Sequence, residues 1–292
     1  MTAQKITRRG FLKFLGYGLI DLALLSMGSI AYDMLVERGP FSVETIQLKL
    51  KRLPKVFSGL RIAQISDIHM GGWMNPERFQ QVANIIKAES PDLLLITGDF
   101  LLGHHFSEAE RQAIVDLIPT LSSLAGSIPS FAVLGNHDYW TNSEAIRQML
   151  FSCGITDLTN TVFTLTREKA NLHICGVDDI WRGDVRLDDV IAQLNDDTAA
   201  ILMAHEPDFA DTSAATGRFD LQISGHTHGG QVNLPLIGPP VRPYLGQKYP
   251  IGLYKIREMF QYTNRGVGMA RLPIRFNCPP EITVFVLESG NS

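Results

Sequence analysis

The sequence predicts an α/β fold, and three of its features support this class. Residues 93–97 (Leu-Leu-Leu-Ile-Thr) form an apolar run that is typical of a strand buried on both faces. Residues 75–90 carry apolar side chains at helical spacing, with Pro76 in the first turn. Strands and helices then alternate up to residue 134, which is typical of parallel strands connected by crossover helices.

The composition bounds the domain organisation and excludes some classes of protein. A chain of 292 residues with 45% hydrophobic residues is long enough for one large domain, which we place at 41–289, behind an N-terminal segment at 1–36. The formal net charge is −4, and because the first 13 residues contain four basic and no acidic residues, the remainder carries −8. Such an acidic body argues against nucleic-acid binding. The three cysteines are far apart, so neither a zinc knuckle nor a disulfide framework is indicated.

The N-terminal segment has the features of a membrane-targeting sequence. Residues 7–13 (Thr-Arg-Arg-Gly-Phe-Leu-Lys) resemble the twin-arginine export signal, and residues 14–36 are predominantly apolar. This run is long enough to cross a bilayer of roughly 30 Å, and its basic flank favours a cytoplasmic N-terminus. Residues 29–31 (Ser-Ile-Ala) also fit a cleavage site, and a buried helix is a further alternative. We expect a retained or partly retained anchor.

The other elements follow in order along the chain. Alternation of apolar and polar residues predicts a half-buried edge strand at 41–50. Proline and glycine are frequent at 234–250, which predicts a long loop, and such loops beside strand ends often form binding walls. Further strands are predicted at 61–69, 93–97, 131–134, 161–165, 172–177, 200–204, 219–224, 252–256 and 282–287, and helices at 75–90, 107–124, 143–152 and 187–194.

Polar side chains suited to metal binding follow several predicted strands. A strand that stays extended past Ser66 would direct Asp67 and His69 to one face. A single Asp-x-His pair is also compatible with a surface turn, but further candidates follow four later strands. In α/β sheets, sites form at the carboxyl ends of the strands. The candidate ligands are Asp67, His69, Asp99, Asn136, His205, His226 and His228.

The chemistry of this set indicates the kind of metal. Imidazoles together with carboxylates suit divalent manganese, iron, zinc or cobalt, whereas magnesium and calcium prefer oxygen ligands alone. Seven ligands are too many for one ion. They suffice for two ions that share one carboxylate at a separation of roughly 3.5–4 Å, which lets the pair hold a phosphate and an attacking hydroxide. We favour manganese.

Five short motifs occur in a fixed order within 67–228: Asp-x-His, Gly-Asp, Gly-Asn-His-Asp, a single histidine and Gly-His-x-His. With them the sequence resembles the calcineurin-like metallophosphoesterase superfamily. The resemblance implies a four-layer α/β/β/α sandwich. It also implies that His137 protonates the leaving oxygen as a general acid, oriented by Asp138. One ion would be held by Asp67, His69, Asp99 and His228, and the other by Asp99, Asn136, His205 and His226, with Asp99 as the bridge.

A closer resemblance is to the membrane-associated bacterial branch of this superfamily. It rests on residues 53–54, 225–231, 264–266 and 272–281. The resemblance implies an enzyme held at the bacterial cytoplasmic membrane through its N-terminal segment, with the catalytic domain outside. It also implies the twin-arginine export machinery as a partner.

We therefore expect a two-metal phosphodiesterase that hydrolyses a phosphate ester with a metal-activated hydroxide. One alternative is a pyrophosphatase acting on a lipid-linked nucleotide sugar such as a UDP-diacylglucosamine. Another is a non-catalytic metal-binding scaffold, which the complete ligand set and the presence of His137 disfavour.

The residues around Asp99 bear on the substrate. They lack both the tyrosine of purple acid phosphatases and the Asp-Arg pair of phosphoprotein phosphatases. We predict an apolar lip made of Trp73, residues 100–102 and the loop 234–245, which either faces an acyl or isoprenoid tail or packs under a loop. His104 and His105 are expected at the surface.

Overall fold

In the computed structural model, two six-stranded sheets face each other and helices cover their outer surfaces. The structure describes residues 41–270 and 272–290, together with positions 8, 15–18, 20–22, 24–26 and 28. Most of the anchor predicted at 1–36 therefore lies outside the described residues. Among the residues that are described, no helix is both long enough and apolar enough to cross a membrane.

The elements are numbered in chain order. The helices are α1 (Pro76–Ala88), α2 (Glu108–Ala125), α3 (Asn136–Thr141), α4 (Ser143–Cys153), α5 (Leu187–Ala192) and α6 (Ala210–Ala215). The strands are β1 (Ser42–Leu50), β2 (Arg61–Ile65), β3 (Leu93–Thr97), β4 (Ser130–Val133), β5 (Thr156–Asp157), β6 (Thr161–Arg167), β7 (Ala170–Gly176), β8 (Ala200–Met203), β9 (Leu221–Ser224), β10 (Gly252–Ile256), β11 (Met259–Thr263) and β12 (Glu281–Ser289).

The strand order places the first and last strands side by side. The first sheet has the order β1-β12-β2-β3-β4-β5, and the second has the order β10-β11-β9-β8-β7-β6. β2, β3 and β4 are parallel neighbours, as the alternation of strands and helices predicts. β1 lies at the edge of its sheet, which confirms the predicted edge strand. β12 is inserted between β1 and β2, parallel to the former and antiparallel to the latter.

The central strands contribute to two hydrophobic cores each. Leu95 of the first sheet packs with Ile174 and Met203 of the second sheet in the space between the sheets. Ile96, the next residue, packs on the opposite side with α1, α2 and α4. A third core lies between the second sheet and α5 and α6. Neighbouring residues of a strand point to opposite faces, so both faces of these strands are apolar and the predicted four layers are confirmed.

Several short elements were not predicted, among them α3, α6 and β11. β11 contains the buried polar residues Gln261 and Thr263, which hydrogen-bond to each other at 3.1 Å, so its apolar pattern is weak. α3 begins at Asn136, immediately after the strand-end glycine Gly135. The first turn of this helix therefore supplies residues to the edge where the candidate ligands lie.

Candidate metal centre

The seven candidate ligands follow strands of both sheets and meet at one edge of the sandwich. All of their side chains are buried, with exposed fractions of 0–7%. Asp67 and His69 follow β2, Asp99 follows β3, Asn136 follows β4, His205 follows β8, and His226 and His228 follow β9.

The first group of ligand atoms converges around Asp67 and His69. The Nε2 atoms of His69 and His228 lie 3.0 Å apart. His228 Nε2 lies 3.3 Å from Asp67 Oδ1, and His69 Nε2 lies 3.6 Å from Asp99 Oδ2. The ligand atoms of Asp67, His69 and His228 all lie within 4.8 Å of one another, a spacing that fits a single ion.

The second group adjoins the first through Asp99. His205 Nε2 lies 3.3 Å from Asp99 Oδ2, and the His205 and His226 rings have their centroids 5.1 Å apart. Asn136 Oδ1 and His205 Nε2 are buried and have no hydrogen-bond partner. Asp99 belongs both to a cluster with His69 and to one with Asp67 and His205. Its position between the groups fits the bridging role that the resemblance implies.

Hydrogen bonds to the backbone fix the tautomers of three histidines. His69 Nδ1 donates to the carbonyl of Leu101 at 3.0 Å, and His205 Nδ1 donates to that of Thr97 at 2.6 Å. His226 uses its other ring nitrogen, because Nε2 donates to the carbonyl of Tyr244 at 2.7 Å. A carbonyl only accepts, so each bonded nitrogen carries a proton, and the other ring nitrogen is the one that can bind a metal when the imidazole is neutral. This outer-shell arrangement is typical of metal-binding histidines.

Five of the candidate ligands have left-handed backbone conformations, with φ between 48° and 70°. Such conformations cost about 1–3 kcal/mol each and cluster at functional sites. The prediction that the strand stays extended past Ser66 is therefore wrong, because φ is 51° at Asp67 and 48° at His69. Both residues instead pair with the loop after β3: Asp67 N–H donates to Gly98 O at 2.9 Å, and His69 N–H donates to Asp99 O at 3.1 Å.

Burial opposes charge at Asp67 and His69. It raises the pKa of Asp67 to about 6 and lowers the pKa of His69 to about 3. A neutral imidazole is the form that binds a metal. Buried carboxylates are stable as anions only when a cation or hydrogen bonds compensate them, and bound cations would provide this compensation.

His137 lies beside this cluster with one ring nitrogen directed away from the backbone. Its Nδ1 donates to the carbonyls of Leu102 and Gly103, both at 3.0 Å, which leaves Nε2 with a lone pair or a proton to exchange. A ligand atom of His137 also lies within 4.8 Å of those of His69 and Asp99. The geometry is thus compatible with proton transfer and with metal binding, and these two roles predict different metal contents when His137 is removed.

Asp138 does not orient His137, so this part of the prediction is wrong. Its carboxylate accepts the backbone N–H groups of Asp99 (2.9 Å), Phe100 (2.8 Å) and Gly135 (2.9 Å). The side chain therefore ties the loop after β3 to the loop after β4. Asp138 acts on the site by holding the backbone of Asp99 in its left-handed conformation.

We expect Asp138→Ala to destabilise the fold by at least about 2 kcal/mol. The substitution leaves up to three buried N–H groups without an acceptor, and each such group costs about 1–3 kcal/mol. Urea unfolding of the metal-free protein measures the loss, with Asp189→Ala on the exposed side of α5 as the control. A loss of stability equal to that of Asp189→Ala would contradict the conclusion that Asp138 ties the two loops together.

The predicted apolar lip is only partly correct. Phe100 and Leu101 are fully buried in the core beneath α1 and α2, because the chain turns inward after Asp99. Trp73 packs against Phe41 and lies under the guanidinium of Arg78. The loop 234–245 does lie at the surface, with Leu236, Ile237, Val241 and Tyr244 exposed.

An aromatic cluster beside the ligands was not predicted. The ring centroids of Trp140 and Trp181 lie 5.1 Å apart, and those of Trp181 and Tyr244 lie 5.4 Å apart. Trp181 also faces His226 at 6.1 Å, and the exposed His104 stacks on Trp140 at 4.8 Å. Trp140 lies in α3, whereas Trp181 and Tyr244 lie in two separate loops. The sequence signals were the position of Trp140 four residues after Asn136 and that of Tyr244 in the loop predicted as part of a lip.

Arg275 is a buried cation behind the ligands that sequence reasoning did not identify. It is 2% exposed, and its guanidinium donates to the carbonyls of Arg265 (2.7 Å), Gly266 (3.1 Å) and Gly268 (2.6 Å). The same segment pairs with Asp67, because Gly268 N–H donates to Asp67 O at 2.8 Å. Arg275 thus fixes the segment that pairs with Asp67, a member of the first ligand group.

Comparison with known proteins gives consistent matches along the chain. A family model described as "Calcineurin-like phosphoesterase" matches residues 60–230. The chain is 35% identical to the "Uncharacterized metallophosphoesterase YkuE" of Bacillus subtilis (strain 168), over 99% of this chain and 100% of that protein. It is 30% identical to the "Phosphodiesterase YaeI" of Escherichia coli (strain K12), over 97% and 99% of the two chains. It is also 29% identical to a "Transmembrane protein with metallophosphoesterase domain" of Danio rerio, over 92% of this chain and 62% of that protein.

Proposed function

The chain belongs to the calcineurin-like phosphoesterase family and is a metal-dependent phosphoric ester hydrolase, and from that premise we propose that it is a two-metal phosphodiesterase. The observation that carries the proposal is the set of unpartnered ligand atoms around Asp99. Asn136 Oδ1 is buried without a hydrogen bond, and a buried polar group without a partner costs about 1–3 kcal/mol. His205 Nε2 is also buried without a hydrogen bond, and it lies 3.3 Å from the Asp99 carboxylate. Coordination of a cation would satisfy both.

The residues present fit two divalent ions, for which manganese, iron, zinc and cobalt are the candidates and manganese is favoured. Bound ions would polarise the phosphate oxygens and provide a nucleophile at neutral pH. We assign His137 to proton donation at the leaving oxygen, since its Nε2 is the ring nitrogen without a backbone partner. We assign one ion to Asp67, His69, Asp99 and His228, and the other to Asp99, Asn136, His205 and His226.

A diester is favoured over a monoester by the charge and size of the adjoining cavity. The cavity has a volume of about 630 Å³ and is lined by residues beyond the candidate ligands, among them Trp140, Trp181 and Leu272. Among the described residues that line it, Arg242 is the single Lys or Arg, and its guanidinium donates to the carbonyls of Pro239 and Gln247. A dianionic monoester would gain little compensation there. The E. coli relative is itself called a phosphodiesterase.

We expect manganese-dependent hydrolysis of an aryl phosphodiester by metal-stripped protein. Bis(p-nitrophenyl) phosphate should give a higher kcat/KM than p-nitrophenyl phosphate, because the second ester group occupies the cavity and the lower charge needs less compensation. Release of p-nitrophenol with and without added Mn²⁺ measures both rates. Preference for the monoester would contradict the assignment as a phosphodiesterase.

We further propose that residues 1–36 form a twin-arginine signal and anchor that holds the domain 41–289 at the outer face of the bacterial cytoplasmic membrane. The proposal rests on the sequence of residues 7–13 and on the apolar run that follows. Export in the folded state suits a site whose ligands follow strands of two sheets and meet only after folding.

We expect replacement of Arg8 and Arg9 together by lysine to retain the enzyme on the cytoplasmic side. The local charge is unchanged, so an electrostatic anchor would tolerate the change, whereas a twin-arginine signal would not. Protease added to intact spheroplasts measures the outcome, with the wild-type chain as the control. Digestion of the variant's catalytic domain by the external protease would show that export does not use this signal.

A further inference from the structure

The cavity beside the metal centre has one wall that the hydrolytic reaction does not account for. Its lining includes the candidate ligands Asp99, Asn136, His226 and His228 and the aromatic residues Trp140 and Trp181. The lining also includes an aliphatic group, which we call the aliphatic wall: Val232, Pro240, Val241, Leu272 and Ile274.

The aliphatic wall is held in place by Gln231. The side-chain Nε2 donates to the carbonyls of Leu272 (2.8 Å) and Ile274 (3.1 Å), and Oε1 accepts the N–H of Ala270 at 2.6 Å. Gln231 itself lies three residues after His228 and has a left-handed φ of 56°. The side chain therefore ties Ala270, Leu272 and Ile274 to the segment that carries His228.

A second fixed element extends the apolar surface beyond the cavity. Leu234 and Gly238 exchange two backbone hydrogen bonds, of 3.2 and 2.8 Å, which close a tight turn. The turn presents Leu236 and Ile237 to solvent with exposed fractions of 109% and 72%, and Leu236 has a left-handed φ of 68°. Val241 and Leu272, which line the cavity, are 73% and 66% exposed. The turn thus presents two exposed apolar side chains in the same loop as Val241, and exposed apolar surface is a feature of sites that contact apolar ligands.

We propose that the substrate is an amphiphilic phosphodiester, one of whose ester groups carries a hydrocarbon chain that lies along this aliphatic wall. The inference rests on the proposed function, since it assigns the phosphate to the metal centre. The wall adjoins His228, because Gln231, three residues later, bonds to the carbonyls of Leu272 and Ile274, and His228 lines the same cavity. The described wall offers a chain no charged partner besides Arg242, whose guanidinium is bonded to backbone carbonyls. Such a wall favours a hydrocarbon chain over a polar or charged group.

Binding of simple phosphonates tests the wall without turnover. Calorimetric titration of the manganese-loaded protein compares n-octylphosphonate with methylphosphonate, below the concentration at which the octyl compound forms micelles. Each buried methylene tightens binding about fourfold, so two or more buried methylenes give at least about a tenfold lower Kd for the octyl compound. Equal Kd values would overturn the inference.

Two variants and a matched control test whether the octyl-to-methyl affinity ratio depends on this wall. Val241→Ser and Leu272→Ser should each reduce the octyl-to-methyl affinity ratio by about threefold or more, because a polar group then faces the chain. Phe151→Ser removes an aromatic side chain that is 87% exposed on α4 and does not line this cavity, so it should leave the ratio unchanged. An equal reduction in the control, or none in the two wall variants, would overturn the assignment to this wall.

Turnover of two diesters with the same leaving group separates this inference from the proposed function. Methyl and octyl p-nitrophenyl phosphate release the same phenol, and we expect a higher kcat/KM for the octyl ester. Equal rates on both esters, with equal phosphonate affinities, would overturn the hydrocarbon inference and leave the phosphodiesterase proposal intact. Hydrolysis of neither ester, with the octyl preference in binding retained, would overturn the phosphodiesterase proposal and support the hydrocarbon site.

Discussion

Replacement of Asp99 by asparagine is expected to abolish activity and to empty both metal positions. Asp99 lies between the two groups of ligand atoms, with Oδ2 3.3 Å from His205 Nε2 and 3.6 Å from His69 Nε2. Removal of its negative charge would weaken the binding of both ions at once. The loss should exceed the roughly 10–100-fold that removal of an outer-shell partner costs. Metal analysis of the purified variant and its kcat/KM on an aryl diester measure the effect.

The Asp99→Asn substitution tests the effect of the negative charge alone, because asparagine can adopt the backbone conformation of this position. φ is 58° at Asp99, and asparagine is among the residues that adopt this region most readily. The amide oxygen can still accept the N–H of His137, which Asp99 Oδ1 accepts at 2.9 Å. Asp116→Asn on α2 makes the same chemical change away from the site and should retain metal and activity. A metal content near two ions per chain in the Asp99→Asn variant would contradict the bridging role of Asp99.

Replacement of His137 by alanine is expected to slow turnover by about 10²–10⁴ while the metal content stays unchanged. That factor is the usual contribution of a general acid. The loss should shrink for diesters with acidic leaving groups, since these need less protonation. Rates on a series of aryl diesters with increasing leaving-group pKa measure the trend.

Metal content decides between the two roles that the position of His137 allows. Its ligand atom lies near those of His69 and Asp99, so a ligand role predicts loss of an ion in the alanine variant. A general-acid role predicts full occupancy and a steep dependence on the leaving group. The exposed His105 provides the control, and His105→Ala should change neither property.

The sequence predicts the site best where ligands follow buried strands. The apolar runs before Asp99 and His205 have few alternatives to a central strand, and the polar residue that ends each run then falls at the sheet edge. The backbone conformation of the loops that carry the candidate ligands was harder to predict from the sequence. Five ligands are left-handed, and their conformations depend on contacts between loops that are distant in sequence, such as that of Asp67 N–H with Gly98 O.

Supporting residues were harder to predict than ligands for a related reason. Asp138 looks like a partner of the adjacent His137, yet it binds backbone N–H groups of the loop after β3. Arg275 has no apolar or helical pattern that would indicate full burial, and its partners are backbone carbonyls that no side-chain pattern reveals. Loop contacts of this kind arise from tertiary packing, which local propensity does not specify.

The insertion of β12 between β1 and β2 makes the support of the metal centre depend on residues that are far apart in sequence. β12 comprises nine residues, Glu281–Ser289, and it hydrogen-bonds to β1 on one side and to β2 on the other. Asp67 and His69 follow β2, so a chain cut before Glu281 would contain every candidate ligand and still lack a neighbour of the strand that carries two of them. We expect such a chain to lose the metal centre, although its ligand sequence is complete.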